Sequence, residues 1–231
     1  MADNTKKKKT SVKAHTRRVP VSDKNPSGIT RVRKHDRIVQ GPRLGKADLL
    51  LILKALLTEN FLRPTPDNLG YRSGTAYDDQ IGAWTHYFNK AFPPTPPESP
   101  LDPDLVKALI ASESGFVADP QKNSKALGIA QITRQTLKTL LDPLGESRDF
   151  TFKQISLKDL KDPQIAIPLA VRWLFQKKIL ATKRLGRAPT TEELILQYKG
   201  LLGSTSDYQK SALGNFQKHF DRLKRQKKAD R

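Results

Sequence analysis

Apolar residues recur at helical spacing through most of the chain beyond residue 100, and alternating strand-type patterns are nearly absent there. The spacing predicts helices over 103–114, 128–141, 164–182, 191–199 and 208–226. Upstream, KADLLLILKALLTENFL (46–62) is apolar nearly all round and predicts a buried helix. RPTPDNLGYRSG then carries turn chemistry in Pro64, Pro66, Gly70 and Gly74. Over 75–92, Tyr77, Ile81, Trp84, Tyr87 and Phe88 form an aromatic stripe. Core packing explains it better than a platform for stacking sugars. FPPTPPESP (92–100) holds five prolines in nine residues, an extended connector that marks a boundary.

Charge divides the chain further. The 231 residues carry a formal +19. Residues 1–46 hold fourteen Lys or Arg against Asp3, Asp23 and Asp36, a net +11, and residues 218–231 contribute +5. Basic arms therefore flank a nearly neutral body. Residues 1–45, with few large apolar side chains and no helical period, predict a disordered or loosely held arm. The expected organisation is this arm, a helical extension over 46–99 packing on the body, a body over 100–217, and a basic tail over 218–231. Within the arm, VKAHTR (12–17) and VRKHDR (32–37) both fit V-[KR]-x-H-x-R. Either the pair makes equivalent contacts to a partner, or it is a chance match in a Lys/Arg-rich tract.

Such a charge implies an anionic partner: nucleic acid, anionic lipid or an acidic wall polymer. Cysteine is absent, which excludes a disulfide framework and a thiolate metal site, and the four histidines are too scattered for a ligand spacing. No metal or other cofactor is expected. No apolar run approaches the roughly 20 residues that span a bilayer. MADNTKKKKTSVKAHTRR has no apolar core of the secretory kind, so the expectation is synthesis in the cytoplasm without a signal peptide.

One residue is out of place. In LDPDLVKALIASESGF (101–116), Asp102 can cap a helix, Pro103 suits its first position and Gly115 its left-handed stop. Leu105, Val106, Leu109 and Ile110 form the inward stripe, and Glu113 falls on it. A carboxyl there loses solvation, which disfavours its charged form. A glutamic acid that keeps its proton can serve as a general acid. A last-turn Glu that points to water fits the spacing equally well.

Downstream residues bear on that choice. Glu113-Ser114, with Gly128-Ile129-Ala130-Gln131 following at offsets of about fifteen to eighteen, resembles the soluble (SLT-type) lytic transglycosylases and, more distantly, goose-type lysozymes. DPQIAIPLAVRWL (162–174) loosely matches a second block of that family. QYKGL (197–201) reduces a third, usually Ala-Tyr-Asn-Ala-Gly, to its tyrosine, Tyr198. The resemblance covers roughly 100–202. It implies a mainly α, lysozyme-like catalytic domain, here carrying the basic N-terminal arm. Ala130 stands where the family has methionine, Lys199 where it has asparagine, and Ala166 and Ala170 where it has Asn and Gly.

The resemblance also implies a reaction on peptidoglycan glycan strands that needs one carboxylate rather than the usual two. Glu113 protonates the oxygen between N-acetylmuramic acid (MurNAc) and N-acetylglucosamine (GlcNAc). It then takes the proton of the muramic C6 hydroxyl as that group closes a 1,6-anhydro ring. An intramolecular nucleophile needs no second acid to activate water. On this reading Tyr198 orients Glu113, and Gln131, Ser114 and Ser124 are candidate contacts to sugar. Lys199 pairs either with Glu113 or with a substrate carboxylate. Asp119 is a weaker candidate second acid, because VADPQ reads as a turn. The alternatives are a hydrolytic muramidase and a non-catalytic nucleic-acid or assembly protein with a lysozyme-like body. Delivery to the bacterial wall by a phage particle, a secretion system or lysis is expected, with the basic arms holding other anionic polymers.

Overall fold

The computed structural model describes residues 9–12, 15–18, 21, 26–27, 29–32, 35–38, 41–94, 99–120, 125–203 and 207–229. It divides into two compact units, 1–41 and 42–231.

In the first unit the described residues include four short strands. β1 (Lys9–Val12) pairs antiparallel with β4 (His35–Ile38), and β2 (His15–Arg18) with β3 (Ile29–Val32). Val12 pairs with His35 and His15 with Val32, so these Val and His positions of the two V-[KR]-x-H-x-R copies lie opposite one another, while 13, 14, 33 and 34 lie outside the described residues. A search for helical period cannot detect such short strands, and Lys, Arg and Thr mask their alternation.

Among the described residues the second unit is built on seven α-helices: α1 (Lys46–Leu56), α2 (Asp78–Ala91), α3 (Pro103–Ser114), α4 (Arg134–Leu141), α5 (Pro163–Leu185), α6 (Thr191–Tyr198) and α7 (Asp207–Ala229). Short extended pairs join them: β5 (Arg43–Leu44) runs parallel to β8 (Thr151–Phe152), and β6 (Ala126–Leu127) antiparallel to β7 (Ile132–Thr133). α3 packs along α7, and α5 lies between α2 and α6. Ile81, Trp84 and Phe88 are fully buried, and Phe88 meets Phe150 edge-on with centroids 5.0 Å apart. The stripe on α2 is therefore core, as the sequence indicates. In α5, Pro163 occupies the first turn and Pro168 lies inside the helix, while Gly186 at φ 69° ends it.

Two helices differ from expectation. α1 ends at Leu56 and buries one side only: Leu49, Leu53 and Leu56 are interior, whereas Leu51 is 70 % exposed and Leu50 and Leu57 are also open. Its continuous apolar run overstates the burial. The helix expected over 128–141 begins only at Arg134, because Gly128 (φ 76°) and Gln131 (φ 48°) are left-handed and reverse the chain between β6 and β7. Part of the proline-rich connector, 95–98, lies outside the described residues.

A buried polar cluster fastens the extension to α3 and α7. Lys107 Nζ, wholly inside, donates to the Thr65 carbonyl (2.8 Å) and to Asp78 Oδ2 (2.8 Å). Asp104 accepts from the Thr65 amide (2.6 Å) and hydroxyl (3.0 Å) and from Lys227 Nζ (3.1 Å). Arg222 reaches Asp67 at 2.7 Å. Ions this deep in a fold need such partners. The stretch 62–77 is irregular yet tightly held.

Candidate active site

α3 sets the first element. Asp102 Oδ1 accepts from the Asp104 amide (2.9 Å), Pro103 begins the helix, and Gly115 ends it at φ 59°. Leu105, Val106, Leu109 and Ile110 are buried, and Glu113 continues their stripe to the helix end. There it meets a partial opening: its side chain is 16 % exposed, neither sealed in the core nor out in bulk water. A β-carbon on Gly115 would come within 2.6 Å of Tyr71 Cε1, so glycine lets the Tyr71 ring close over the helix terminus. Tyr71 also packs edge-on to Phe116, with its hydroxyl 3.3 Å from His219 Nε2. Burial, then the nearby Lys218 and Arg222 charges, holds His219 below the ordinary histidine range.

The β6–β7 turn is the second element. Gly128 lies so close under the Leu160 carbonyl that a β-carbon would overlap its oxygen. Ser114 links this turn to α3: its hydroxyl donates to the Ile129 carbonyl at 2.6 Å. The Gln131 side-chain amide donates to the Gly128 carbonyl at 3.0 Å, bracing the turn from within.

α6 supplies the third. Thr190 and Glu193 form a reciprocal cap at its start. At its end the Gly200 amide bonds the Gln197 carbonyl and the Leu201 amide bonds the Leu196 carbonyl (2.7 Å), with Gly200 at φ 73°. This paired closure is a Schellman motif. It fixes where Tyr198 and Lys199 leave the helix. The Tyr198 hydroxyl donates to the Ala130 carbonyl at 3.1 Å, and Lys199 Nζ donates to Glu113 Oε1. Burial and then the negative field of Glu113 raise the Tyr198 phenol above its ordinary range.

The fold thus brings Glu113, Ser114, Gln131, Tyr198 and Lys199 together from three elements separated by up to 86 positions. Several expected roles change. Tyr198 bonds the turn rather than Glu113, because the Ala130 carbonyl lies within reach of its hydroxyl. Ser114 donates to backbone instead of standing free for sugar. Lys199 pairs with Glu113. Ser124 lies outside the described residues. Asp119 sits in a turn, exposed and paired with Lys161 at 2.8 Å. The closing of Tyr71 over Gly115 was not foreseen, and no local pattern announces a contact across 44 positions. Among the described residues no group of His, Cys, Asp or Glu is arranged to hold a metal ion, and no helix is long and apolar enough to cross a membrane. Two shallow grooves lie elsewhere, one beside Leu62, His86 and Leu101 and one beside Ile52, Tyr87 and Lys90, and neither includes Glu113.

A helical body presenting one glutamate at the end of a buried helix, faced by a left-handed turn and a tyrosine-bearing helix, defines the lysozyme-like class. Residues 98–209 match the family model described as the Transglycosylase SLT domain, which supports an SLT-type lytic transglycosylase family for this part of the chain. SLT domains are those of lytic transglycosylases, which act on peptidoglycan. No curated protein matches the chain. The matched span takes in α3, the β6–β7 turn, α5 and α6, hence all three elements around Glu113.

Proposed function

We propose that the chain is a lytic transglycosylase that cleaves the β-1,4 bond between MurNAc and GlcNAc, with Glu113 as its one acid and base. The observation that carries this reading is the convergence of Glu113, the Gly128–Gln131 turn and Tyr198 within the matched span. In the forward step the Glu113 carboxyl gives its proton to the glycosidic oxygen, and the bond to the muramic C1 breaks. The substrate's own N-acetyl carbonyl supports the cationic carbon. The Glu113 carboxylate then removes the proton of the C6 hydroxyl, whose oxygen bonds to C1. Each proton given is recovered. Asp119, paired with Lys161, is poorly suited to activating a water, which favours the intramolecular closure over hydrolysis.

On this proposal the substrate sugars lie along Glu113 and the β6–β7 turn, with Gln131 facing them. The site of action is the bacterial wall, where the basic residues of 1–46 and 218–231 hold the enzyme to anionic polymers. Isolated peptidoglycan digested by the protein should yield muropeptides ending in anhydromuramic acid, one water lighter in mass than reducing ends. Glu113→Gln should lower the rate at least about a hundredfold, the minimum for losing a general acid. Reducing ends would identify a hydrolase instead. Equal digestion by the Glu113→Gln variant would remove Glu113 from the chemistry.

A further inference from the structure

The Glu113 and Lys199 side chains are each other's only hydrogen-bond partners among the described residues. Both are mostly covered yet reachable, 16 % and 13 % exposed. The Tyr198 hydroxyl is committed to the Ala130 carbonyl and does not stand in for Lys199. The Glu113–Lys199 pairing occupies one of the two carboxyl oxygens, Oε1, and while it holds that oxygen has no proton to give. For Oε1 to protonate the glycosidic oxygen the two side chains must part.

Resting on the reading of Glu113 as the acid, we propose that Lys199 is a substrate-operated latch whose second partner is a carboxylate of the peptidoglycan stem peptide. Lys199 has the means to move. Its Cα is fixed by the closed end of α6, while its four-carbon stem can swing the ammonium without disturbing backbone. It will not leave a half-buried carboxylate for nothing, since breaking an ion pair that water reaches poorly leaves an uncompensated charge. An incoming stem carboxylate removes that obstacle, because the ammonium exchanges one anion for another. Glu113 Oε1 is then left without a donor. The carboxyl takes up a proton from solvent and becomes the donor the first step requires. Strands bearing anionic stems therefore activate the enzyme, and uncharged strands leave the latch shut.

The test uses the full chain and two forms of one soluble peptidoglycan fragment, with stem carboxylates free or converted to amides. The unaltered protein should cleave the free-acid form at least tenfold faster, with the difference mainly in kcat. Lys199→Asn should treat the two forms within about twofold. The basic arms are common to both proteins, so their attraction for anions cancels. Calorimetry supplies an arm independent of turnover. Glu113→Gln frees Lys199 and should bind the free-acid fragment about tenfold tighter than the unaltered protein does, and the gain should vanish in Glu113→Gln/Lys199→Asn. A preference that survives Lys199→Asn, or a binding gain that survives in the double variant, overturns the latch. Absence of any cleavage overturns the enzymatic reading instead, and the calorimetric arm then still decides what Lys199 holds.

Discussion

Gly128 lies directly beneath the Leu160 carbonyl, with no room for a β-carbon between them. It is also left-handed, at φ 76°. Both constraints fall on the residue that opens the turn facing Glu113. Gly128→Ala should therefore cost about 2–4 kcal/mol, combining backbone strain with a steric overlap that neither backbone can relieve cheaply. Chemical denaturation measures the loss. Because the turn carries Ile129 and Ala130, activity should fall even at temperatures where the variant is fully folded. A variant as stable and as active as the original protein would mean the turn tolerates the side chain and is not a rigid part of the site.

Tyr198 offers a test of which contact matters. Its hydroxyl bonds the Ala130 carbonyl, so Tyr198→Phe should cost about 1 kcal/mol of stability through one neutral hydrogen bond. Turnover should fall less than tenfold, because Glu113 keeps its own environment. A loss approaching that of Glu113→Gln would instead mean the phenol turns to Glu113 in the working complex.

How much of this was legible in the sequence differs by element. α3 could be read to the residue, because Asp102, Pro103 and Gly115 punctuate it and its stripe is regular. The β6–β7 turn could not. Ile129, Ile132, Leu137 and Leu140 fit a helical period, and only Gly128 hints at a reversal, while Gln131 adopts a left-handed conformation that its chemistry does not announce. α1 misled in the opposite sense, since six Leu or Ile among eight residues read as burial all round although nothing in the described unit covers Leu51. Motif spacing singled out Glu113, Gln131 and Tyr198 as candidates, but their partners depend on ångström-scale positions. Whether Tyr198 reaches Glu113 or Ala130 is a tertiary matter that no spacing encodes.

The lysine inside the extension–body junction sets up a third prediction. Lys107 has no exposed surface and holds the Thr65 carbonyl and Asp78 together. Lys107→Met removes the cation and strands a carboxylate, which should cost about 3–5 kcal/mol. Adding Asp78→Asn should return part of that loss, because the stranded charge is gone. Thermal melts of the two variants decide the matter. If the double variant is less stable than the single one by the full cost of Asp78→Asn alone, the two residues do not act as a pair.

Asp78 itself makes stability depend on pH in an unusual sense. Its Oδ1 is buried with no hydrogen-bond partner among the described residues. Burial outweighs the Lys107 ammonium, and the nearby Asp104 and Asp79 add to it, lifting the carboxyl from its ordinary 3.8 to about 6. A carboxyl raised on folding binds its proton more readily in the native chain than in the unfolded one. Stability from this group therefore rises as pH falls from about 6 to about 4 and is lost as pH rises back through that window. Asp159 and Glu193, each drawn down to about 2 by their hydrogen-bond partners, act in the opposite sense but only below about pH 4.5. His219, lowered by burial, opposes Asp78 within the window itself, since it favours the unfolded chain as pH drops below about 6.5. The measurement must therefore be a difference. Between pH 7 and 4.5 the unaltered protein should gain about 1–2 kcal/mol relative to Asp78→Asn, short of the full linkage value because solvent reaches part of the cluster. A flat difference would place the Asp78 proton elsewhere. A difference of opposite sign would mean that Lys107 holds the carboxylate ionised across the whole range.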